Sequence, residues 1–523
     1  MDQRLPGHPV ETNPYFSKRT VSLGVQLGEH CPFDSSAGDA PSLLKHSPPG
    51  LPLPRGPSRP PSRTMIRRGF SLFVLAGLCA GLLGCAAQTE TQAPVASPDS
   101  FSVSGTEATP DRWWTAFESD TLNAVVDSAT TANFTVRSAW QRLQAAEAVV
   151  DREAGALYPD LEATGRAERR GGTDAAFAEG GNFELGLNTS YEVDLWGRIR
   201  KRIKAEEFRA RATRAEYQTA VLSVSAEVVR TWYRLAEARS QRALIDRQVE
   251  TNATVLNLIK NRFEAGQVRS VDVLRQRQLV ESTRERRVAV ESRAEVLEHR
   301  LAVLLGRVPQ DSVSAPPDSL PTLPPLPETG VPADLLQRRP DVQSALNRLR
   351  AADQDLAAAI SDQYPRITLT ASGSTIADSA TDLFEIWAYS FAGNLLAPIF
   401  RGGSLRAEVD RTEAVRTQRL YEYGQTMLTA FQEVEDALVR EQKQREQIQQ
   451  LESQVDLARQ SYERLRAQYL NGTTNYLDVL TALDEVQQLR RDLLSAQLVL
   501  VEDRIALYRA LAGAVETDRA AER

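Results

Sequence analysis

The chain contains little cysteine, methionine or histidine, and this scarcity excludes several kinds of site. It has three cysteines, three methionines and four histidines in 523 residues. Three of the histidines precede residue 65, so His299 is the only one in the remainder. It follows Glu298 in a helical pattern and is expected to be solvated. Because zinc-ligand spacings, phosphate loops and nucleophile elbows are also missing, we expect no catalytic site, no metal and no non-covalent cofactor.

Long hydrophobic runs are likewise missing after residue 85. None there reaches the roughly 20 residues of a membrane-spanning helix. Residues 86–523 carry 53 basic and 64 acidic side chains, a net charge of −11 with histidine neutral. This balance gives no indication of nucleic acid as a partner. If this part of the chain crosses a membrane, strands must do so.

Residues 1–64 lack a hydrophobic period but hold 12 of the 27 prolines. Such a segment cannot bury a core, so we interpret it as a disordered or non-native extension before a start at Met65. From Met65 two arginines, an apolar run and small residues lead to Cys85, which is the layout of a secretory signal. The alternative is a transmembrane anchor, for which the uncharged run at 70–87 is marginally short.

The end of this signal, LLGC, resembles a bacterial lipobox. The resemblance implies that 65–84 is removed as a signal peptide and that Cys85 receives covalent lipid, such as palmitate. It then begins a lipidated linker at 85–110. Each buried methylene contributes about 0.8 kcal/mol, so several acyl chains would anchor the protein firmly. Ala86 stands where an aspartate would direct retention in the inner membrane, so the outer membrane is implied.

Two motifs occur twice, 206 positions apart. They are FEAGQVRSVDVL and YLNGTTNYLDVL, at 263–274 and 469–480, and YPDL and YPRI, at 158–161 and 364–367. Internal repeats are the strongest guide to architecture, and we predict two tandem copies at 111–306 and 334–513. The connector at 307–333 is rich in proline and cannot be helical. A tail follows at 514–523.

Each copy contains two stretches of strict apolar and polar alternation, which predict strands. They lie at about 160–170, 182–195, 366–375 and 384–397. About ten residues is the length of a tilted membrane-barrel strand. Four strands cannot close a barrel, and an open edge in lipid leaves backbone groups unsatisfied at several kcal/mol each. The chain is therefore predicted to oligomerise, and a conduit favours a twelve-stranded trimer over an eight-stranded dimer.

Long helices are predicted below the strands. Residues 198–264 contain no proline and predict one helix of roughly 100 Å, a length typical of a coiled coil. In the second copy apolar residues step by three and four from Ile448 to Tyr469, as in a heptad seam. The first-copy seam is more polar, because it includes Arg242 and Asn252. Four further helices are predicted at 135–157, 272–305, 340–362 and 478–511.

The repeated motifs are predicted to form the tips of helical hairpins. Glycine tolerates a left-handed helix end, serine or asparagine can cap the returning helix, and an aspartate suits its positive end. The residues in these positions are Gly266, Ser270, Asp272, Gly472, Asn475 and Asp478. An aspartate that only stabilises a helix start, by roughly 0.3–1 kcal/mol, is an equally favoured interpretation.

Several stretches resemble the TolC-like outer-membrane efflux factors, in particular the lipoprotein branch that partners multidrug pumps. They are RWWTAFESDTLNAVV, YEVDLWGRIRKR, QRRPDVQSALNRLRAADQDLAAAISDQYPRITLT, LAPIFRGGSLRAEV and YLNGTTNYLDVLTALDEV. The resemblance covers about 111–513. It implies an α+β membrane protein in which a trimeric twelve-stranded outer-membrane β-barrel, four strands per chain, continues into a long periplasmic coiled-coil helical barrel. An equatorial collar is implied near 307–333.

The resemblance implies the exit duct of a tripartite system that exports small molecules such as drugs. The partners would be two further copies of this chain, a periplasmic adaptor at the hairpin tips, an inner-membrane pump and outer-membrane lipid. Asp478 falls where some members place a gate aspartate, and Thr481 stands where a second acidic residue can occur. Two alternatives stay open: an exit channel for protein secretion of the type I kind, and a lipid-anchored coiled-coil protein that does not conduct.

Overall fold

The structure is a computed structural model. It describes residues 94–170, 180–313, 316–513 and Val515, which belong to the larger of the chain's two units, Glu90–Arg523. Outside the described residues lie the predicted extension, the predicted signal peptide, Cys85, the predicted linker up to residue 93, residues 171–179, residues 314 and 315, and the rest of the predicted tail.

Helices dominate the described part of the chain. The α-helices are α1 (Asp120–Ala132), α2 (Phe134–Ala154), α3 (Arg198–Glu264), α4 (Ser270–Leu304), α5 (Pro332–Arg338), α6 (Pro340–Ser361), α7 (Ser404–Leu470) and α8 (Tyr476–Leu511). Short 3₁₀ helices span Trp113–Phe117 and Gly155–Leu157. Among the described residues, none of these helices has the length and hydropathy of a membrane span.

The two longest helices, α3 and α7, have 67 residues each. At 1.5 Å per residue each is about 100 Å long. The bounds of α3 are those predicted. Helix α4 returns along α3, and α8 returns along α7. Helix α3 also packs against α6 and α8, which joins the two hairpins side by side.

The strands form one antiparallel sheet in the order β1 (Asp160–Arg170), β2 (Gly180–Val193), β3 (Arg366–Ala377) and β4 (Ala388–Leu396). All four predicted strands are present. The fourth begins at residue 388 and not at 384 as predicted. The preceding residues form turns instead, because Asp382 accepts hydrogen bonds from the hydroxyls of Ser379 and Thr381. The backbone N–H of Glu385 then turns back to Asp382 O at 3.1 Å.

A hydrophobic core lies where the hairpins meet the amino-terminal segment and the connector. Trp113, Trp114 and Trp232 are almost completely buried there. The ring of Trp113 stacks on Tyr508 of α8, with 6.0 Å between ring centroids. Between Leu304 and Pro332 the described residues contain no helix, in agreement with the effect of the prolines.

A buried ion pair fastens the connector to the helices. Arg504 of α8 is completely buried and binds the carboxylate of Glu441 of α7 through Nε at 2.8 Å and Nη2 at 2.5 Å. Its Nη1 donates to the carbonyls of Pro324 and Pro325 at 2.7 and 3.0 Å. One side chain therefore joins α7, α8 and the connector.

Candidate functional site

One face of the sheet is apolar across all four strands. The register pairs Ala163 with Leu187, Leu187 with Gly373 and Gly373 with Tyr389, and paired residues share a face. The large exposed apolar side chains of this face are Leu161, Leu185, Leu187, Leu369, Tyr389, Phe391 and Leu395. An exposed apolar surface that crosses a whole sheet is typical of contact with lipid or protein.

The opposite face of the sheet is hydrophilic. Its polar side chains include Glu162, Thr164, Arg166, Glu168, Glu184, Asn188, Ser190, Glu192, Thr368, Thr370, Ser372, Ser374, Ser390 and Asn394. Neighbouring strands share hydrogen bonds across this face, such as the 2.8 Å bond between the hydroxyls of Ser372 and Ser390. The sheet therefore separates an apolar side from a side that water can wet.

The sheet is open within one chain. Strand β1 pairs with β2 only, and β4 pairs with β3 only, among the described residues. Each of these edge strands has a row of backbone N–H and C=O groups without a strand partner. Such edges are available for pairing with another chain.

At both hairpin tips the descending helix ends at a glycine in the left-handed conformation, as predicted. Gly266 and Gly472 have φ of +67° and +76°, in the left-handed region. The N–H of Gln267 bonds to Arg262 O at 2.8 Å, and the N–H of Thr473 bonds to Gln468 O at 2.9 Å. These bonds close a Schellman motif. A Cβ at either glycine would meet no atom within 4 Å, so backbone conformation alone favours glycine here.

The start of α4 corrects one predicted cap. Ser270 is the first residue of the helix, and Arg269 occupies the N-cap position. Asn475 does cap α8, because its side-chain oxygen accepts from the N–H of Asp478 at 3.2 Å. The residue 206 positions before Asn475 is Arg269, so the prediction paired the two tips one position out of register. At the start of α4 the carboxylate of Asp272 accepts a hydrogen bond from the N–H of Arg269 at 3.2 Å, and this bond stabilises the helix end where no serine or asparagine stands at the N-cap.

The two aspartates of the tips have different surroundings. Asp272 is buried at the start of α4, whereas Asp478 is half-buried in the first turn of α8. The carboxylate of Asp478 accepts a hydrogen bond from the hydroxyl of Thr474 at 2.7 Å. Thr481 is exposed three residues later, on the same face of the helix. The structure therefore places an accessible carboxylate and a hydroxyl together at the start of α8.

A polar seam between α3 and α8, buried except at the exposed Ser495, was recognised by the sequence analysis only at Asn252. We use this name for Glu237, Gln241, Gln248 and Asn252 of α3 and Gln487, Arg491 and Ser495 of α8. On α3 these residues and Ile245 follow steps of three and four, which is the signal that could have revealed the seam. The predicted first-copy seam, from Arg242 to Phe263, included Ile245, Asn252 and Ile259, which are buried, and missed Gln248, the other buried residue of α3 in that range.

Hydrogen bonds connect the polar seam across the two helices. Gln241 donates to Arg491 O at 2.9 Å, and Gln248 donates to Gln487 O at 3.1 Å. The guanidinium of Arg491 donates to Gln248 Oε1 at 2.5 Å. Burial, and then the nearby charge of Arg286, lower the pKa of Arg491. The helices thus meet through side-chain amides where a coiled coil ordinarily has apolar side chains.

The chain is similar to known outer-membrane proteins in both sequence and fold. The family model described as outer membrane efflux protein matches residues 125–307 and 331–513. The pyoverdine export outer membrane protein OpmQ of Pseudomonas aeruginosa is 30% identical over 422 residues, covering 78% of this chain and 88% of the relative. The toluene efflux pump outer membrane protein TtgF of Pseudomonas putida is 31% identical over 423 residues, covering 77% and 85%. A solved structure of the outer-membrane channel OprN superposes with a TM-score of 0.73 at 28% identity, covering 81% of this chain and 99% of that one.

Proposed function

Because the chain belongs to the outer membrane efflux protein family, it is an outer-membrane efflux channel, and we propose that three copies form the exit duct of a tripartite pump. The observation that carries the proposal is the sheet, which has one apolar face, one hydrophilic face and two unpaired edges. In the trimer, β4 of one chain would pair with β1 of the next. Twelve strands would then close around a lumen lined by the hydrophilic face.

The apolar face would meet the lipid. Closure satisfies the backbone groups of β1 and β4, which would otherwise cost several kcal/mol each in hydrocarbon. Helices α3, α4, α7 and α8 of the three chains would continue the wall into the periplasm. At about 100 Å, α3 and α7 are long enough for such a tunnel.

The cargo is proposed to be small molecules. Two relatives are named for exporting pyoverdine and toluene, respectively, and both match most of this chain. Protein secretion through a similar tube remains the alternative cargo class, and a deletion strain's susceptibility to small toxic molecules would separate the two.

The gate is proposed to lie at the start of α8. The half-buried carboxylate of Asp478, with Thr481 one turn later, would be repeated three times around the narrow end of the trimer. Three like charges at a constriction favour cations, and low-dielectric walls strengthen the effect. The buried Asp272 would not take part, because its carboxylate is used in starting α4.

A lipid anchor on Cys85 is proposed from the position of Pro94 and the number of residues between the two. Pro94 lies against α7 at Gly424, where a Cβ would come within 2.6 Å of the proline ring. From Gly424 to the start of α7, next to the sheet, the helix is about 30 Å long. The nine residues from Cys85 to Pro94 can extend about the same distance. The linker is therefore long enough for acyl chains on Cys85 to reach the membrane that contains the sheet.

A periplasmic adaptor and an inner-membrane pump are the proposed partners. The two hairpin tips repeat one turn, built around Gly266 and Gly472, and a trimer would display six of them. Their glycines have open space around the Cα, so a partner can approach the backbone closely.

The test of the barrel uses two neighbouring residues of β4 that lie on opposite faces. Phe391→Arg places a charge on the proposed lipid face, at a cost of about 2–4 kcal/mol per chain near the membrane centre. Ser390→Arg places the same charge in the proposed lumen and is the matched control. We expect only Phe391→Arg to abolish heat-modifiable trimers in membranes, while Ser390→Arg trimers insert and conduct in planar bilayers.

If Ser390→Arg lost its heat-modifiable trimers and Phe391→Arg kept them, the assignment of the two faces would be contradicted. A wild-type protein that stays monomeric in lipid, with no conductance, would contradict the trimeric duct and favour the coiled-coil protein that does not conduct.

A further inference from the structure

Helix α8 is held against α3 and α4 by hydrogen bonds that meet at one residue, Asn252. Its Nδ2 donates to Thr283 Oγ1 at 3.0 Å and to Gln487 Oε1 at 3.1 Å. Its Oδ1 accepts from Gln487 Nε2 at 2.8 Å, and its backbone carbonyl accepts from Gln276 Nε2 at 2.8 Å. Asn252, Gln276 and Thr283 are completely buried, and Gln487 is 4% exposed. Three helices are thus joined at a single point that excludes water.

The network extends along α8 in both directions. Towards the tip, the hydroxyl of Tyr476 donates to Gln276 Oε1 at 2.5 Å. Tyr476 is the first residue of α8, two positions before Asp478. Away from the tip, Gln248 and Arg491 continue the bonds into the polar seam. Along α8 the network covers about 29 Å, from Tyr476 to Ser495.

The bonds in this network differ in how much they restrict α8. A Gln side chain that donates to a backbone carbonyl can find another carbonyl one turn along a helix. The reciprocal pair between Asn252 and Gln487 requires both amides to face each other and forms in one register only. Buried amide pairs fix register in coiled coils in this way, at some cost in stability. Apolar neighbours such as Ile245 provide burial without such selectivity.

We propose that Asn252 and Gln487 are positioning residues, which hold α8 and the carboxylate at its start in one register against α3 and α4, and that the channel opens when this reciprocal pair breaks. The proposal rests on the proposed function, since it assumes that Asp478 lies at the gate. Asn252 and Gln487 themselves do not reach the proposed lumen, because both are buried between helices.

The first test replaces the pair by leucines, Asn252→Leu with Gln487→Leu. The other hydrogen bonds of the network do not depend on the two replaced side chains. Thr283 also bonds to Leu279 O at 2.7 Å. Gln276 and Gln248 bond to backbone carbonyls, which the substitutions leave in place. Replacing both members of a buried polar pair by apolar groups is close to neutral for stability. We therefore expect trimers as heat-resistant as wild type, with an open fraction in planar bilayers raised about fivefold to thirtyfold, the factor for one or two net hydrogen bonds.

Two controls separate register from packing. Ile245→Leu changes an apolar seam position at constant volume and should leave the open fraction at the wild-type level. The exchanged pair, Asn252→Gln with Gln487→Asn, can still form reciprocal bonds and should restore most of the closed state. A purely structural role predicts the reverse pattern, in which the leucine pair loses trimers and conductance is unchanged in those that remain.

Gln487→Glu provides an isosteric variant if the leucine pair does not assemble. The carboxylate cannot donate to Asn252 Oδ1, but its protonated form can, so the open fraction should fall towards the wild-type value as the pH is lowered. The comparison is made with wild type at the same pH.

The outcomes are separable from those of the proposed function. A wild-type protein without conductance would overturn the channel and this inference together. A conducting wild type, with the same open fraction in the leucine pair and in Gln487→Glu, would overturn the inference and leave the channel standing.

Discussion

Arg504→Met is expected to destabilise the protein at the junction of α7, α8 and the connector. The arginine is 0% and Glu441 3% exposed in this ion pair. Removing one partner of a buried pair costs about 3–5 kcal/mol, because the other charge is left in a poor solvent. Glu441 retains Arg445 at 2.9 Å, a half-exposed partner, so the lower limit of about 3 kcal/mol applies. Loss of the donor to Pro324 and Pro325 adds about 1 kcal/mol.

The assay is unfolding of purified protein in guanidinium, followed by far-UV circular dichroism, with limited proteolysis of the connector as a second measurement. The matched control is Arg504→Met combined with Glu441→Leu, which removes both charges and should recover most of the roughly 4 kcal/mol. Connector cleavage should rise in the single variant and in the double variant, since both lose the donor to the two proline carbonyls.

The pH dependence gives an internal check of the same reasoning. Burial raises the pKa of Glu441, but the hydrogen bonds and charges of Arg504 and then Arg445 more than offset it, so the pKa lies below its usual value. A carboxyl whose pKa is lowered by folding stabilises the protein above its unfolded pKa, and this contribution is lost as the pH falls. The difference between wild type and Arg504→Met should therefore shrink in acid. A single variant as stable as the double variant, at every pH, would refute the account.

Four further predictions follow from other parts of the chain. Asp478→Asn should reduce cation selectivity in planar bilayers, and unchanged selectivity would remove Asp478 from the gate. Gly472→Val should abolish cross-linking to an adaptor while trimers persist, because φ of +76° excludes a β-branched residue from the turn; loss of trimers first would indicate a role in the turn only. Gly105→Ala should increase proteolysis of the amino-terminal segment, since its Cβ would lie 1.7 Å from Leu326 O; an unchanged digestion rate would contradict this contact. Burial raises the pKa of Asp503 to about 6, opposed by Arg440 and supported by Glu441 and Glu502. The folded protein therefore binds the proton of the Asp503 carboxyl more tightly than the unfolded chain does, and this contribution to stability is present at low pH and lost as the pH rises through about 6. Asp503→Asn should then raise the melting temperature more at about pH 7.5 than at about pH 5. An equal rise in melting temperature at the two pH values would argue against the raised pKa.

Sequence reasoning located most of the fold because the relevant signals are local. The absence of proline predicted that α3 is one long helix, and strict alternation located four strands, with β4 placed four residues too early. Glycine at the two hairpin tips was predicted from its tolerance of positive φ, and both glycines adopt it. The apolar steps from Ile448 to Tyr469 all proved buried or half-buried.

The errors arose where a contact between distant residues decides the outcome. Ser270 was assigned as a cap because it resembles one chemically, but the Schellman turn at Gly266 brings Arg269 into the N-cap position. Asn252 was recognised only as a polar residue in an apolar seam. Its partners Thr283 and Gln487 are 31 and 235 positions away, and periodicity cannot identify them.

The amino-acid sequence by itself determined the lengths of the helices and strands, the two faces of the sheet and the turns of the hairpins, because each depends on residue spacing within one segment. Only the tertiary structure decided which faces of α3, α4 and α8 meet, that amides fill the space between them, and that Arg504 joins the connector to two helices. Those features depend on how segments far apart in the chain are packed, and a buried polar group acquires its role only from the partner that packing brings to it.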